Sequence, residues 1–411
     1  MLIKRTLLVT AILATSYSQM AAAEESAGFI AGSKLDLNLR TFYFHRDRKP
    51  SGSDDSIALT QGLRLNFESG YFNNIIGFDA SIFAVGALSA KDDEGGTSTL
   101  RTTSNGEQKG YAKFGQAYAK VKLGENSGLK IGRMTINTPL LDDSDSRVTP
   151  SSTQGVYAFT QYQNIDLYGI WTDRGSAKTS EQFNEYTDTN GDDYSVGIVG
   201  GGYKFNSGVK LDLAYGEADN VLSQTYVSAS YPIALSAKDQ LNLSSTFYHG
   251  EADGEGAQTN VGADYSSNLY SLSGQWVRDN KKLTLAYQKV NGDEYQESWD
   301  DFSNDDTGLY SSNSVQFLDF DRAEERSVQA RVDYDVTAIK GLSLMARYIR
   351  GDNIKRSDGQ EGKEWERDLE AKYAFQNVDG LSLRLRNATV RSTETTDVDE
   401  NRLILDYNIP L

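Results

Sequence analysis

The stretch SVQARVDYDV, residues 327–336, alternates without a break. Val328, Ala330, Val332, Tyr334 and Val336 are apolar, and Ser327, Gln329, Arg331, Asp333 and Asp335 are polar. A period of two is the signature of a β-strand with one wet and one greasy face. Whatever the chain folds into must supply an apolar environment for that greasy face, either a protein core or the hydrocarbon of a membrane.

The same form recurs from end to end. SKLDLNLRTFYF sets Leu35, Leu37, Leu39, Thr41 and Tyr43 against Lys34, Asp36, Asn38 and Arg40. GLRLNFES sets Leu63, Leu65 and Phe67 against Arg64, Asn66 and Glu68, and QAYAKVKL sets Ala117, Ala119, Val121 and Leu123 against Tyr118, Lys120 and Lys122. GVKLDLAY, TYVSASYP, LNLSSTFY, KLTLAYQK, GLSLMARY, DLEAKYAF, LSLRLRNA and NRLILDYNIPL repeat it. No convincing amphipathic helix interrupts the series, so the expected class is all-β.

The first 23 residues read differently. Lys4 and Arg5 precede a short apolar run, Leu7 to Ala14, and Ala21 to Ala23 form a small-residue cleavage site. This is the pattern of a secretory signal peptide cleaved after Ala23, and the run is shorter than the roughly 20 apolar residues of a membrane anchor. The expected organisation is therefore a signal peptide, 1–23, and one domain, 24–411. Removing Lys4 and Arg5 moves the formal charge from −17 to −19. That acidic balance argues against nucleic-acid binding, which needs a basic footprint. With no cysteine there is neither a disulfide nor a thiolate metal site. No motif points to a cofactor.

The connections between the alternating segments come in two kinds. Short turns such as GENSG, YQN, KFNSG, VRDNKK and NVDG join some pairs. Long acidic or Gly/Ser-rich stretches join the others: 45–59, 87–110, 135–154, 174–193, 250–260, 292–324, 351–364 and 392–399. Short turns on one side and long loops on the other is the arrangement of a transmembrane antiparallel β-barrel, with periplasmic turns and extracellular loops. Keeping every long loop outside requires NVGADYSSN to merge into the strand LYSLSGQWV, and the count is then eighteen strands, held to within two.

The tyrosines decide between core and lipid. On upward strands the outward-parity tyrosines lie near the top (Tyr43, Tyr215, Tyr287, Tyr348), and on downward strands near the bottom (Tyr231, Tyr334, Tyr373, Tyr407). Two aromatic girdles at the membrane–water interfaces are expected of a barrel; strand propensity explains the number of tyrosines but not this placement. A soluble sandwich fails on the same grounds. Because lipid cannot satisfy a free sheet edge, the first strand must pair with the last. That last strand ends in Leu411 rather than an aromatic residue.

The polar face then lines a lumen wide enough for an aqueous channel. Its inward cations are Arg40, Arg64, Lys120, Lys122, Arg331, Arg347, Arg384, Arg386 and Arg402. Closure brings the first and last strands together, so these arginines form a stripe on one wall that can grip carboxylates. The alternative is bracing: Asp36, Glu68, Asp333, Asp335, Asp368, Glu370 and Asp406 share that face and can pair with the cations. Arg133 and Arg367 have outward parity and are expected near the mouth, where they can snorkel.

NSVQFLDFDRAEERS, ARYIRGDNI, EGKEWERDLE, LRLRNATVR and DVDENRLI, with LNLRTFYFHRD, QGLRLNFESGY and DDSDSRVTPSSTQG near the start, resemble segments of the OprD-like outer-membrane porins. The resemblance covers nearly the whole of 24–411. It implies an eighteen-stranded barrel narrowed by inward-folded loops and selective passive uptake of small nutrients. Family members carry carboxylate-bearing solutes such as amino acids or aromatic acids, and others pass N-acetylated, chitin-derived sugars. Carried over, the family's basic ladder matches Arg64, Arg384, Arg386 and Arg402; its constriction loop matches Asp143, Asp145, Ser146 and Arg147; and its second inward loop matches 292–324, with Asp319, Asp321 and Arg322. The acids among these suggest a mixed eyelet, suited also to zwitterions or cationic amino acids.

Two rivals remain to be weighed. A barrel enzyme needs a clustered nucleophile and base, but His45 and His249, the only histidines, sit near separate loop bases. The stretch NEYTDTNGDDY, 184–194, crowds Asp188, Asn190, Asp192 and Asp193 around Gly191 but lacks the terminal Glu of a calcium loop. The expected protein is a non-enzymatic porin in the outer membrane of a Gram-negative bacterium. Its expected partners are the lipid bilayer, lipopolysaccharide and small solutes, not nucleic acid, and monomer and trimer both stay open.

Overall fold

The computed structural model describes residues 28–49, 54–92, 96–188, 190–257, 261–299 and 308–411. The expected signal segment, 1–23, lies outside the described residues.

Eighteen antiparallel strands form one closed sheet. They are β1 Lys34–Arg48, β2 Ser56–Glu68, β3 Ile76–Ala90, β4 Tyr111–Gly124, β5 Ser127–Met134, β6 Ser152–Tyr162, β7 Ile165–Ser176, β8 Val196–Lys204 and β9 Lys210–Ala218. The second half comprises β10 Leu222–Ala234, β11 Asp239–Ala252, β12 Ser266–Arg278, β13 Lys281–Gly292, β14 Arg326–Asp335, β15 Leu342–Lys355, β16 Glu361–Ala374, β17 Leu381–Ser392 and β18 Val398–Pro410. Each strand pairs with its sequence neighbour, and β1 closes on β18 in a ladder running from Asp36↔Pro410 to Arg48↔Val398. No edge is left to be satisfied by lipid. No helix among the described residues is long and apolar enough to cross a membrane; the chain crosses with strands.

Burial is inverted relative to a soluble protein. In the opening stretch Val328 and Val332 are 55% and 50% exposed, whereas Ser327 and Gln329 are 1% and 5% exposed. The apolar face therefore points out and the polar face points in. Leu272, Leu285, Leu344, Leu369, Leu385 and Leu403 continue the exposed apolar band around the barrel. Tyr215, Tyr231, Tyr287 and Tyr348 stand exposed on that surface, while Tyr43, Tyr334, Tyr373 and Tyr407 are half-buried by their neighbours. Tyr348 lies against Trp365 at 5.7 Å between ring centroids, and Tyr373 meets Phe375 edge-on at 4.9 Å.

The side with the termini carries the short turns, including 125–126, 163–164 and 279–280. The other side departs from expectation. Only 91–110, 135–151, 177–195, 253–265 and 293–325 are long; 49–55, 356–360 and 393–397 are short in sequence, and 219–221 joins β9 to β10 directly. Much of the polar sequence in 45–59 and 351–364, and the ends of 392–399, is strand, paired above the apolar band with one register shift between Gly351 and Ile354. Polarity there marks where the wall leaves the lipid, not where pairing stops. NVGADYSSN joins β12 only from Ser266 onward.

Candidate substrate path

The charged wall is built from strands that meet at the barrel closure. Register sets Arg331 beside Arg347, Arg347 beside Asp368, Glu370 beside Arg386, and Arg386 beside Arg402 on successive strands β14 to β18. Arg40 on β1 faces Asp406 on β18. Because all have inward parity, they form one continuous stripe. Acids are interleaved with them: Arg331 pairs with Asp333 at 2.7 Å, Arg347 with Asp368 at 2.6 Å, Arg386 with Glu370 at 3.1 Å and Arg384 with Glu370 at 3.4 Å. Arg402 pairs with Glu400 at 2.5 Å.

These residues differ in access. Arg331 and Arg384 keep 37% and 38% of their side chains exposed and Arg386 keeps 18%. Arg331, Arg347 and Arg386 line a cavity of about 270 Å³ with Lys282, Asp333 and Glu370. Arg347 and Arg402 are buried.

Arg40 and Arg64 hold the loop 135–151 inside the barrel. Asp145 lies between them, 2.8 Å from Arg40 and 2.5 Å from Arg64. Arg40 also donates to the Arg147 carbonyl at 2.7 Å, and Arg64 Nε donates to the Val148 carbonyl at 2.9 Å. Val148 is fully buried with Phe42, Phe44, Ala58 and Val85. It presses on Gly62 so closely that a Cβ there would collide with its side chain. A cavity of about 440 Å³ opens beside this clasp, lined by Asn38, Arg40, Arg64, Asn66, Asp145 and Asn408.

Asp143 lies at the edge of the same cavity but is buried in the loop. It is 3% exposed and accepts hydrogen bonds from the Ile136 amide at 2.8 Å and the Thr153 hydroxyl at 3.1 Å. Burial pushes its carboxyl up to about 7, against the opposing pull of those donors. Ser146 and Arg147 sit at the tip beside Asp145; the Arg147 guanidinium lies 5.7 Å from the Phe44 ring centroid.

The described parts of the second loop, 293–299 and 308–325, also lie against the inner wall. Arg322 reaches Glu364 at 3.3 Å and Glu294 at 3.5 Å. Asp319 and Asp321 crowd against Glu297; desolvation raises the carboxyls of all three, and repulsion from the neighbouring acids adds to it at Glu297 and Asp321. Asp145 of the first loop and Asp319 of the second thus lie beside arginines of the basic wall, whereas Asp143 bonds Thr153 on β6.

Across the lumen the lining is aromatic. Tyr157, Tyr168, Tyr226 and Tyr248 stand on β6, β7, β10 and β11; Tyr226 lies 4.9 Å from Tyr248, and Tyr248 lies 5.1 Å from Tyr295. The Tyr248 hydroxyl accepts from the Tyr310 amide at 2.9 Å and donates to the Pro139 carbonyl at 3.4 Å. Trp299 donates from its indole to the Leu140 carbonyl. Each inward loop therefore has one limb on the aromatic wall and one on the charged wall.

The two lysines stand apart from the arginine stripe. Lys120 pairs with Asp79 at 2.6 Å and sits over the Tyr71 ring, and Lys122 approaches Asn74 at 3.5 Å. Arg133 stacks on Phe183 at 4.2 Å and bonds Gln154, while Arg367 bonds Thr389 at 2.8 Å. Sequence reasoning missed Arg46, which pairs with Glu400 at 2.7 Å, and Lys282 and Lys372. Their parity was available: Lys372 follows Asp368 and Glu370 at steps of two.

His45, His249 and the 184–194 loop, on which the rival readings rest, each have partners close by. His45 contacts Asp55 at 3.1 Å and His249 contacts Asn268 at 3.1 Å, on β1 and β11. Asp188 turns onto its own loop, accepting the Asn190 and Asp192 amides at 2.9 Å. Among the described residues no three His, Asp or Glu side chains are placed to hold a metal ion.

Comparison with known proteins agrees with this architecture. The model of the outer membrane porin, OprD family, matches residues 27–411. Porin D of Pseudomonas aeruginosa is 31% identical over 94% of this chain and 93% of its own. The porin-like protein GalP of Pseudomonas putida is 27% identical over 98% of each chain. The crystal structure of Pseudomonas aeruginosa OpdK with vanillate superposes with a TM-score of 0.84 at 27% identity, covering 93% of this chain and all of the other. These relatives are porins, and they place this chain in a Gram-negative outer membrane, among lipopolysaccharide and small solutes. The chain belongs to the OprD family of outer-membrane porins.

Proposed function

We propose that the protein is a selective porin for small carboxylate-bearing solutes, amino acids or organic acids, drawn along the arginines of its charged wall. The observation that carries this reading is the inward row of Arg331 and Arg347 on β14 and β15 and of Arg386 and Arg402 on β17 and β18, joined across β16 by Asp368 and Glu370, with Arg331, Arg384 and Arg386 open to the lumen. A planar guanidinium binds a carboxylate through two parallel hydrogen bonds. Glu370 already engages Arg384 and Arg386, so an arriving carboxylate exchanges with a resident one rather than meeting a bare charge. Such exchange keeps each stop shallow, as conduction requires.

The structure of OpdK was determined with vanillate, an aromatic carboxylate. For this chain, the arginine row opposite a tyrosine wall supports the same class of solute. The barrel performs no chemistry on what passes. The removal of residues 1–23 and the choice between monomer and trimer belong to the same reading. Liposome swelling tests it. A carboxylate should enter faster than its neutral amide of the same shape, and equal rates, or faster entry of an N-acetylated sugar, would contradict it.

A further inference from the structure

Residues 312–322 lie as a strap across the charged wall. The Ser312 carbonyl accepts from Gln329 at 2.8 Å and the Asn313 amide group donates to Ser327 at 2.7 Å. Gln316 donates to Glu400 at 3.0 Å, and its carbonyl accepts from Arg402 at 3.4 Å. Leu318 and Phe320 pack against Ile349, Val390 and Val398.

Two wall residues grip the strap by its backbone. Glu366 takes the Phe317 amide at 3.1 Å on one oxygen and the Leu318 amide at 2.8 Å on the other. Gln288 donates to the Asp319 carbonyl at 2.9 Å and the Phe320 carbonyl at 2.8 Å. Both are fully buried. A carboxylate matches two consecutive amides because each oxygen accepts one, whereas a glutamine would present one acceptor and one donor. Arg402, which donates to the Gln316 carbonyl of the strap, is 2% exposed, and Arg347, close enough for its charge to act on Asp319 of the strap, is 8% exposed, while Arg331 and Arg384 outside it stay open.

We infer that Glu366 and Gln288 are positioning residues that set the selectivity of the passage: by holding the strap they decide how many wall arginines a solute meets. The inference rests on the proposed reading that these arginines guide anions. Loosening the grip uncovers Arg347 and Arg402, widens the passage and raises its preference for anions.

The test uses the full chain in planar bilayers. Glu366→Gln should raise single-channel conductance by about twofold and shift the reversal potential toward anions, as an added pair of exposed charges does in a pore. Because the chain has no cysteine, Asn313→Cys with Ser327→Cys can staple the strap down. In the Glu366→Gln background, oxidation of that pair should restore wild-type conductance and reduction should release it. A folded Glu366→Gln barrel with unchanged conductance and selectivity, or a staple that restores nothing, would overturn the inference. Should Glu366→Gln fail to assemble, Gln288→Ala is read by the same criteria. Arg384→Ala with Arg386→Ala separates the two ideas. If it leaves carboxylate selectivity untouched, the function reading fails; if it abolishes that selectivity while Glu366→Gln changes nothing, only the role of the strap fails.

Discussion

The lumen has two unlike walls. From β14 round to β2 the inward positions include arginines paired with carboxylates; from β6 to β11 they carry tyrosines among smaller, mostly uncharged residues. Both walls have the same pleat, hydrogen bonding and outward apolar face. What differs is how each holds the loops. The aromatic wall holds Pro139, Leu140, Tyr295 and Trp299 by packing and single hydrogen bonds. The charged wall holds Asp145 and the 312–322 strap by ion pairs and backbone grips. Apolar contact is tolerant of shape, whereas charge-assisted bonds demand position. The loops are thus cushioned on one side and registered on the other, which keeps the arginine row at a defined distance from passing solutes.

This contrast can be broken most sharply from the charged side. Replacing Arg384 and Arg386 by alanine should reduce the preference for a carboxylate over its amide at least tenfold, since one lost charge-assisted bond is worth about 1.5–3 kcal/mol. Tyr157→Ala on the aromatic wall should leave that preference nearly unchanged while raising conductance. Gly62→Val comes next. Its side chain would enter the space of Val148, and overpacking of about 1–3 kcal/mol should expel the loop tip and free Arg40 and Arg64. The readout is a larger, noisier channel.

A smaller effect follows from Asp143. Its folded carboxyl titrates near 7 rather than its ordinary 3.8, so the protonated form is favoured by folding. The contribution of that form is complete below the ordinary value and is lost as pH rises through about 7. Gating noise from loop 135–151 should therefore grow between acid and mildly alkaline pH, and Asp143→Asn should remove the trend. The smallest effect is expected of Tyr248→Phe. It deletes the hydroxyl between Pro139 and Tyr310 at a cost of about 0.5–1.5 kcal/mol. Brief closures should become more frequent while solute preference is kept.

Much of this architecture was legible from alternation alone. Val328 and Gln329 announce their opposite faces by their chemistry, and parity then carries along β14 and its neighbours. The strand number followed from keeping the long loops on one side, and the pairing of β1 with β18 because a barrel admits no edge. The strand tops were harder. Arg46 and Lys363 read as loop because they are polar, yet backbone pairing is blind to side-chain polarity once the strand has left the lipid. The destinations of Asp143 and Asp145 were harder still. Two residues apart on one loop, one is buried under Thr153 and the other bridges two arginines, and only three-dimensional packing separates them. Glu366 was invisible as a tether because its partners are backbone amides some 48 residues away in sequence.

The most direct test of the account is single-channel recording with a small carboxylate and its amide added in turn, on the wild type and on Arg384→Ala with Arg386→Ala. The account predicts that the carboxylate interrupts the wild-type current while the amide does not, and that the double variant makes the two solutes indistinguishable. Equal interruption by both solutes in the wild type, or a double variant that still tells them apart, would contradict it.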